Sequence, residues 1–132
     1  MEFSSLVLME RDKETKHLIK ELGSFQVGDG ARYVTKFYYD GDIVNMHFDT
    51  MKDVEEWEYS AIFDLFNTEV FVENGFEIEE DVEEYNPAWV VKFQYIEEHE
   101  EMEEKISTAC SLIEEEIEKV FENIIGKEEE YK

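Results

Sequence analysis

The chain has 132 residues, and its 36 acidic and 12 basic side chains give a formal net charge of −24. Nucleic acids and anionic lipids attract proteins through positive charge, so this balance disfavours direct binding to DNA, RNA or a membrane surface. Hydrophobic residues make up 42% of the chain and include ten Phe, seven Tyr and two Trp. That content is typical of a folded chain of one-domain size and not of an acidic disordered segment.

The cysteine content and the chain start indicate the compartment. Cys110 is the only cysteine, so the chain forms no internal disulfide. The first residues lack the basic and apolar regions of a signal peptide, and no apolar run approaches the roughly 20 residues of a membrane span. We therefore expect a cytoplasmic protein.

The first third of the chain predicts two hairpins. Residues 3–9 form an apolar run suited to a buried strand, and residues 16–22 could pair with it through the polar turn 12–15. The alternative is a helix over 12–22 that ends at Gly23; the pattern favours the hairpin. Residues 33–39 and 43–49 then flank Asp40-Gly41, which is a strong hairpin signal.

The middle of the chain predicts a helix followed by a third hairpin. Thr50 and Asp53 resemble a capping box that starts a helix, with apolar residues at helical spacing from Val54 to Leu65. Asn74-Gly75 predicts a hairpin between 69–73 and 76–79. Apolar residues then alternate from Trp89 to Tyr95, as on one face of a strand.

A long helix over residues 97–125 closes the chain, and Gly126 stands where a helix-ending glycine is expected. Its apolar residues recur every three or four positions and form a candidate core or dimer stripe. The stripe contains Met102, Ile106, Ala109, Ile113, Ile117, Val120 and Ile124. We expect it to pack on the sheet; any part that extends beyond the sheet would bury against a second copy.

These elements predict an α+β fold. We expect a single two-layer domain over residues 1–126, with an antiparallel sheet of about six strands. One mid-chain helix and the long C-terminal helix cover one face of that sheet. The composition of residues 127–132 predicts a frayed acidic tail.

Acidic residues cluster in two places and form a candidate interaction surface. Its members are Glu77, Glu79, Glu80, Asp81, Glu83, Glu84, Glu97, Glu98, Glu100, Glu101, Glu103, Glu104, Glu114, Glu115 and Glu118. Eleven acids and two lysines between 97 and 122 give one net charge per about 4.3 Å of helix. Single-stranded DNA carries one phosphate per roughly 3.4 Å, so a mimic of nucleic acid that occupies a basic groove is one hypothesis. The simpler interpretation is a solvated helix face.

Catalytic, metal and cofactor motifs are not evident in the sequence. His17, His47 and His99 stand outside any nucleophile or metal-binding pattern, and Gly28-Asp29-Gly30 reads as a hairpin turn. The sequence therefore favours a non-catalytic protein-interaction module, with a basic protein or a second copy as its partner. A nucleic-acid mimic is the first alternative. A small-ligand binder or an enzyme without a familiar motif is the second.

Overall fold

A six-stranded sheet forms one layer of the fold. The computed structural model describes residues 4–12, 14–15, 17–27, 29–82 and 84–131. The strands are β1 Ser4–Arg11, β2 Leu18–Val27, β3 Val34–Tyr39, β4 Val44–Asp49, β5 Glu77–Asp81 and β6 Ala88–Phe93. Their order across the sheet is β2-β1-β3-β4-β6-β5. β1 and β3 run parallel, and the other neighbouring pairs are antiparallel.

Helices form the second layer. They are α1 Glu56–Leu65, α2 Glu69–Glu73, the long α3 His99–Asn123 and the short α4 Glu128–Tyr131. A 3₁₀ helix, Asp29–Tyr33, connects β2 to β3. The predicted α+β class, with a sheet of about six strands and a long C-terminal helix, is confirmed.

The first two predicted hairpins are confirmed. β1 pairs with β2 in antiparallel register, so the hairpin and not the helix is correct for residues 12–22. The carboxylate of Asp12 accepts the N–H groups of Glu14 and Thr15 at 2.9 Å, which closes the turn. β3 pairs with β4, and Gly41 between them has a φ of +95°.

The predicted start of the mid-chain helix at Thr50 is wrong. Thr50 is buried, and its hydroxyl donates to the Lys52 carbonyl at 3.0 Å. The next residue, Met51, has a φ of +53°, which turns the chain away from a helical path. The helix begins at Glu56 instead, where the Glu58 carboxylate accepts the N–H of Glu55 at 2.9 Å. This is the reciprocal bond of a capping box, shifted by five positions from the prediction.

The predicted hairpin around Asn74-Gly75 is also wrong. Residues 69–73 form α2, and the Asn74 side chain donates to the Val70 carbonyl at 2.7 Å. Gly75, with a φ of +86°, follows that helix end. An Asn-Gly pair suits a helix terminus as well as a hairpin because both need a residue with positive φ. Phe71 decides between them: as part of α2 it is buried and stacks on Phe48.

The core lies between the two layers. All seven residues of the predicted stripe are buried, which assigns the stripe to the core of the chain itself. Trp89, Val91 and Phe93 of β6 are buried on the same side, and Tyr39 stacks on Tyr95 with ring centroids 5.1 Å apart. These aromatic side chains therefore serve core packing.

Three further segments differ from prediction or lie outside the described residues. Asp29 and Gly30, expected in a hairpin turn, belong to the 3₁₀ helix. The expected frayed tail contains α4, and the Tyr131 hydroxyl donates to the Asp64 carboxylate at 2.8 Å. Phe3, Lys13, Lys16, Gly28, Glu83 and Lys132 belong to predicted features but are not among the described residues.

Candidate functional site

The candidate acidic surface is divided between two sides of the molecule. Ile78 of β5 pairs with the core residue Val91 and is half-buried towards the helices. Glu77 and Glu79 alternate with Ile78 and therefore project from the opposite face of the sheet. The remaining candidates from Glu97 to Glu118 lie at the start of α3 or along it. The structure thus separates Glu77 and Glu79 from the α3 glutamates, whereas Glu80, the cross-strand partner of the core residue Trp89, is on the side of the helices.

Several of these carboxylates already have partners within the chain. Glu98 caps α3 by accepting the N–H of Glu101 at 2.6 Å. Other pairs are Glu79 with Lys92 at 3.2 Å, Glu103 with His99 at 3.6 Å, Glu114 with Arg32 at 2.8 Å, Glu115 with Lys119 at 2.9 Å, and Glu118 with Arg32 at 3.9 Å. These contacts give part of the surface a structural role.

A groove of about 700 Å³ lies elsewhere, between the start of α1 and the C-terminal end of α3, beside α4. Its apolar wall is formed by Trp57, Phe121, Ile124 and Ile125. Ile124 is buried and ends the core stripe, whereas Ile125 is 78% exposed. The groove therefore presents apolar side chains to solvent directly beside the core.

Trp57 separates this groove from a second one of about 610 Å³. The second groove is lined by Glu55, Glu56, Ser60 and Tyr131 as well as Trp57. The indole N–H of Trp57 donates to the Glu55 carboxylate at 2.7 Å, which fixes the ring in its orientation. We call the two grooves together the Trp57 surface.

Charged side chains line the Trp57 surface together with its apolar residues. Six glutamates line it: Glu55, Glu56, Glu58, Glu122, Glu128 and Glu129. Lys52 is the one basic residue among the described lining residues, and its ammonium lies 5.0 Å from the centre of the Phe121 ring. This contact shows that the ring accepts a cation over its face, in the geometry of a cation–π interaction. The surface is therefore suited to a ligand that combines positive charge with an apolar anchor.

The Trp57 surface was missed by the sequence argument, which selected no residue of it except Ile124 of the core stripe. Trp57 and Phe121 fit the apolar periodicity of their helices, and that periodicity by itself predicts burial in the core. Their half-exposure depends on where α1, α3 and α4 meet. The only signal in the sequence is the paired Ile124-Ile125 at the helix end, where one of two adjacent side chains must leave the buried face.

Groups with catalytic potential lie apart from the Trp57 surface. Burial raises the pKa of the Cys110 thiol to about 12, so this cysteine is protonated and inert at neutral pH. Burial also lowers the pKa of His47, which is half-buried on the other side of the sheet. Among the described residues, no group of three or more His, Cys, Asp or Glu side chains is arranged to hold a metal ion. None of the helices in the described ranges is long and apolar enough to cross a membrane.

Comparison with known proteins identifies a family but no characterised relative. No curated protein matches the sequence, and no solved structure matches it. One family model covers residues 1–132, the whole length of the chain. The protein therefore belongs to DUF6762, a family of unknown function.

Proposed function

We propose that this protein is a non-catalytic interaction module that binds a basic segment of a partner protein on the Trp57 surface. The observation that carries this proposal is a partly exposed apolar wall that shares its grooves with six glutamates. Ile125 and the rings of Trp57 and Phe121 supply apolar contact. The six glutamates supply the charge that complements lysine and arginine.

The energetics of such a contact favour a few anchor residues. Tryptophan is among the residues that most often dominate binding energy at interfaces, and burial of an exposed Ile contributes roughly 1.5–3 kcal/mol. A partner's lysine or arginine could replace Lys52 over Phe121 or pair with the surrounding carboxylates. The net charge of −24 would also steer a basic partner towards the protein during diffusion.

The distribution of acids favours this docking mode over mimicry of nucleic acid. A mimic needs its carboxylates on one continuous face, spaced like phosphates. Glu77 and Glu79 project from a different side of the sheet than the α3 glutamates, and several members of the two clusters pair with Lys92, Arg32 or Lys119. Compact docking on the Trp57 surface requires no such array.

A peptide-binding experiment tests the proposal. The probe is a synthetic helical peptide with Leu at positions i and i+4 and Lys or Arg elsewhere, labelled for fluorescence anisotropy. We expect binding to the native protein, and we expect Ile125→Ser to weaken it by about tenfold, equivalent to ~1.4 kcal/mol. Since the Ile125 side chain is mostly exposed, this substitution removes an anchor without opening the core.

The matched control is Val72→Ser on α2, which is also an exposed aliphatic residue but does not line the Trp57 surface. Both variants keep the net charge, so long-range attraction is unchanged. Equal affinity of the two variants would contradict the proposed site. A peptide with Ser in place of both Leu residues measures the attraction due to charge alone.

A further inference from the structure

Lys52 already occupies a cation position on the Trp57 surface. Its ammonium lies 5.0 Å from the centre of the Phe121 ring, within the range of a cation–π contact. Four glutamates line the same groove, namely Glu58, Glu122, Glu128 and Glu129. Among the described residues, however, no carboxylate oxygen lies within 4.0 Å of this ammonium. The face of the Phe121 ring is therefore the contact that the structure shows for the charge of Lys52.

Local hydrogen bonds fix the backbone that carries Lys52. Met51 has a φ of +53°, a left-handed conformation that residues with a Cβ atom rarely adopt. Its N–H donates to the Asp49 carboxylate at 2.8 Å, and the buried Thr50 hydroxyl donates to the Lys52 carbonyl at 3.0 Å. Backbone strain of this kind often occurs at ligand-binding sites. Since these bonds hold the main chain while the Lys52 side chain is exposed, the ammonium can leave the ring without a change of fold.

We propose that Lys52 is a tethered competitor of the partner protein. Its ammonium occupies the position over Phe121 that a lysine or arginine of the basic partner takes in the complex. This inference rests on the proposed function of the Trp57 surface and concerns the regulation of binding there. Binding then exchanges one cation for another over the same ring, and the displaced Lys52 side chain turns towards solvent.

The strength of the Lys52 contact determines how much it weakens binding. An exposed cation–π contact favours the occupied state by only about two- to fivefold. The ring is then free in roughly one third to one sixth of the molecules, which lowers the apparent affinity of a partner by about three- to sixfold. A partner that also contacts Trp57 and Ile125 can overcome this cost, whereas an isolated organic cation gains little from the exchange. The competitor therefore favours partners that make several contacts at once.

A double-mutant cycle on Lys52 and Phe121 tests this regulation. The probe is the same labelled helical peptide, at roughly 0.15 M salt, where the Debye length is about 8 Å. We expect Lys52→Ala to tighten binding by about three- to sixfold because the ring is then free. In a Phe121→Leu background, Lys52→Ala should have little effect, since no ring is left to compete for. Simple repulsion between Lys52 and the peptide predicts an equal gain in both backgrounds, and that result would overturn the proposal.

Lys20→Ala is the matched control for the change in charge. It removes one positive charge from an exposed position on β2 that does not line the Trp57 surface. Its effect on affinity should be clearly smaller than that of Lys52→Ala. Equal gains from the two variants would mean that net charge, and not release of the ring, controls binding.

Nuclear magnetic resonance of the full chain detects the displacement without relying on affinities. In the free protein, the Phe121 ring should shift the ε-methylene signals of Lys52 upfield of their position in Phe121→Leu. Saturating peptide should move these signals towards the position that they have in Phe121→Leu. Lys52 signals that keep their upfield shift in the complex would overturn the proposal.

The outcomes separate the role of Lys52 from the proposed function. A peptide that binds the native protein and Lys52→Ala equally well would overturn the role of Lys52 and leave the proposed site intact. A peptide that binds neither protein would overturn the proposed function, and the role of Lys52 with it.

Discussion

Glu116 shows how position on a helix changes the behaviour of a single acid. It follows Glu114 and Glu115 in the sequence, yet it is only 4% exposed because it lies beside Ile113 and Ile117 of the buried stripe. Burial raises the pKa of its carboxyl group, and Lys119, 3.8 Å away, only partly opposes this effect. The charged form of Glu116 therefore costs stability at neutral pH.

The direction of the pH dependence follows from that shift. Since the folded pKa lies above the unfolded value of 4.5, the folded state holds this proton more tightly. The stabilisation that comes from holding this proton is fully present below pH 4.5. It is lost as the pH rises through the pKa of Glu116 in the folded protein. We expect Glu116→Gln to raise the free energy of unfolding by about 1 kcal/mol at pH 7 and to flatten this part of the pH profile.

Urea denaturation between pH 4 and pH 8 measures the Glu116→Gln effect. Glu115→Gln is the matched control because Glu115 is exposed and also contacts Lys119, at 2.9 Å. Loss of such a surface pair changes stability by no more than about 1 kcal/mol and should lower it. Destabilisation by Glu116→Gln at pH 7 would show that the charged carboxylate is well accommodated.

At the scale of elements, the contact between the 3₁₀ helix and α3 depends on Gly30. A Cβ atom at this position would lie 1.9 Å from the carbonyl oxygen of Cys110. Because that oxygen belongs to the backbone of a long helix, it cannot move as a flexible side chain would. We therefore expect Gly30→Ala to destabilise the protein by about 3 kcal/mol, by separating the two elements.

The Gly30→Ala cost can be separated from ordinary glycine effects. Gly126 has a φ of +82°, and a methyl group on its Cα would meet no atom of the described residues within 4 Å. Gly126→Ala therefore introduces backbone strain without a clash, and this control should cost about 1 kcal/mol. Chemical denaturation of both variants makes the comparison, and equal costs would argue against the close approach at Gly30.

At the scale of the whole molecule, the net charge of −24 opposes folding through self-repulsion. Salt shortens the Debye length from about 30 Å at 0.01 M to about 8 Å at 0.15 M. We expect the melting temperature at pH 7 to rise by several degrees over this range. The rise should shrink near the isoelectric point of about 4.2, where the net charge vanishes. Thermal melts followed by circular dichroism test this, and a constant melting temperature at pH 7 would contradict it.

Local patterns predicted those parts of the fold in which neighbouring residues decide the structure. Asp40-Gly41 marked a hairpin because its turn needs only local hydrogen bonds and a residue with positive φ. The α3 stripe predicted a buried helix face because the helical period by itself brings those residues together. The Asn74-Gly75 pair led to the wrong prediction of a hairpin because the same two residues can end a helix. The burial of Phe71 by distant residues favoured the helix over the hairpin.

The sequence by itself determined the α+β class, the acidity, the first two hairpins and the core face of the long helix, since these follow from composition and short-range periodicity. Only the tertiary structure decided which acids share a surface. It placed Glu77 and the α3 glutamates on different sides of the sheet, and it gathered Trp57, Phe121 and Ile125 from separate parts of the chain into one groove. Such groupings depend on how elements pack across long chain separations, and no local period encodes that packing.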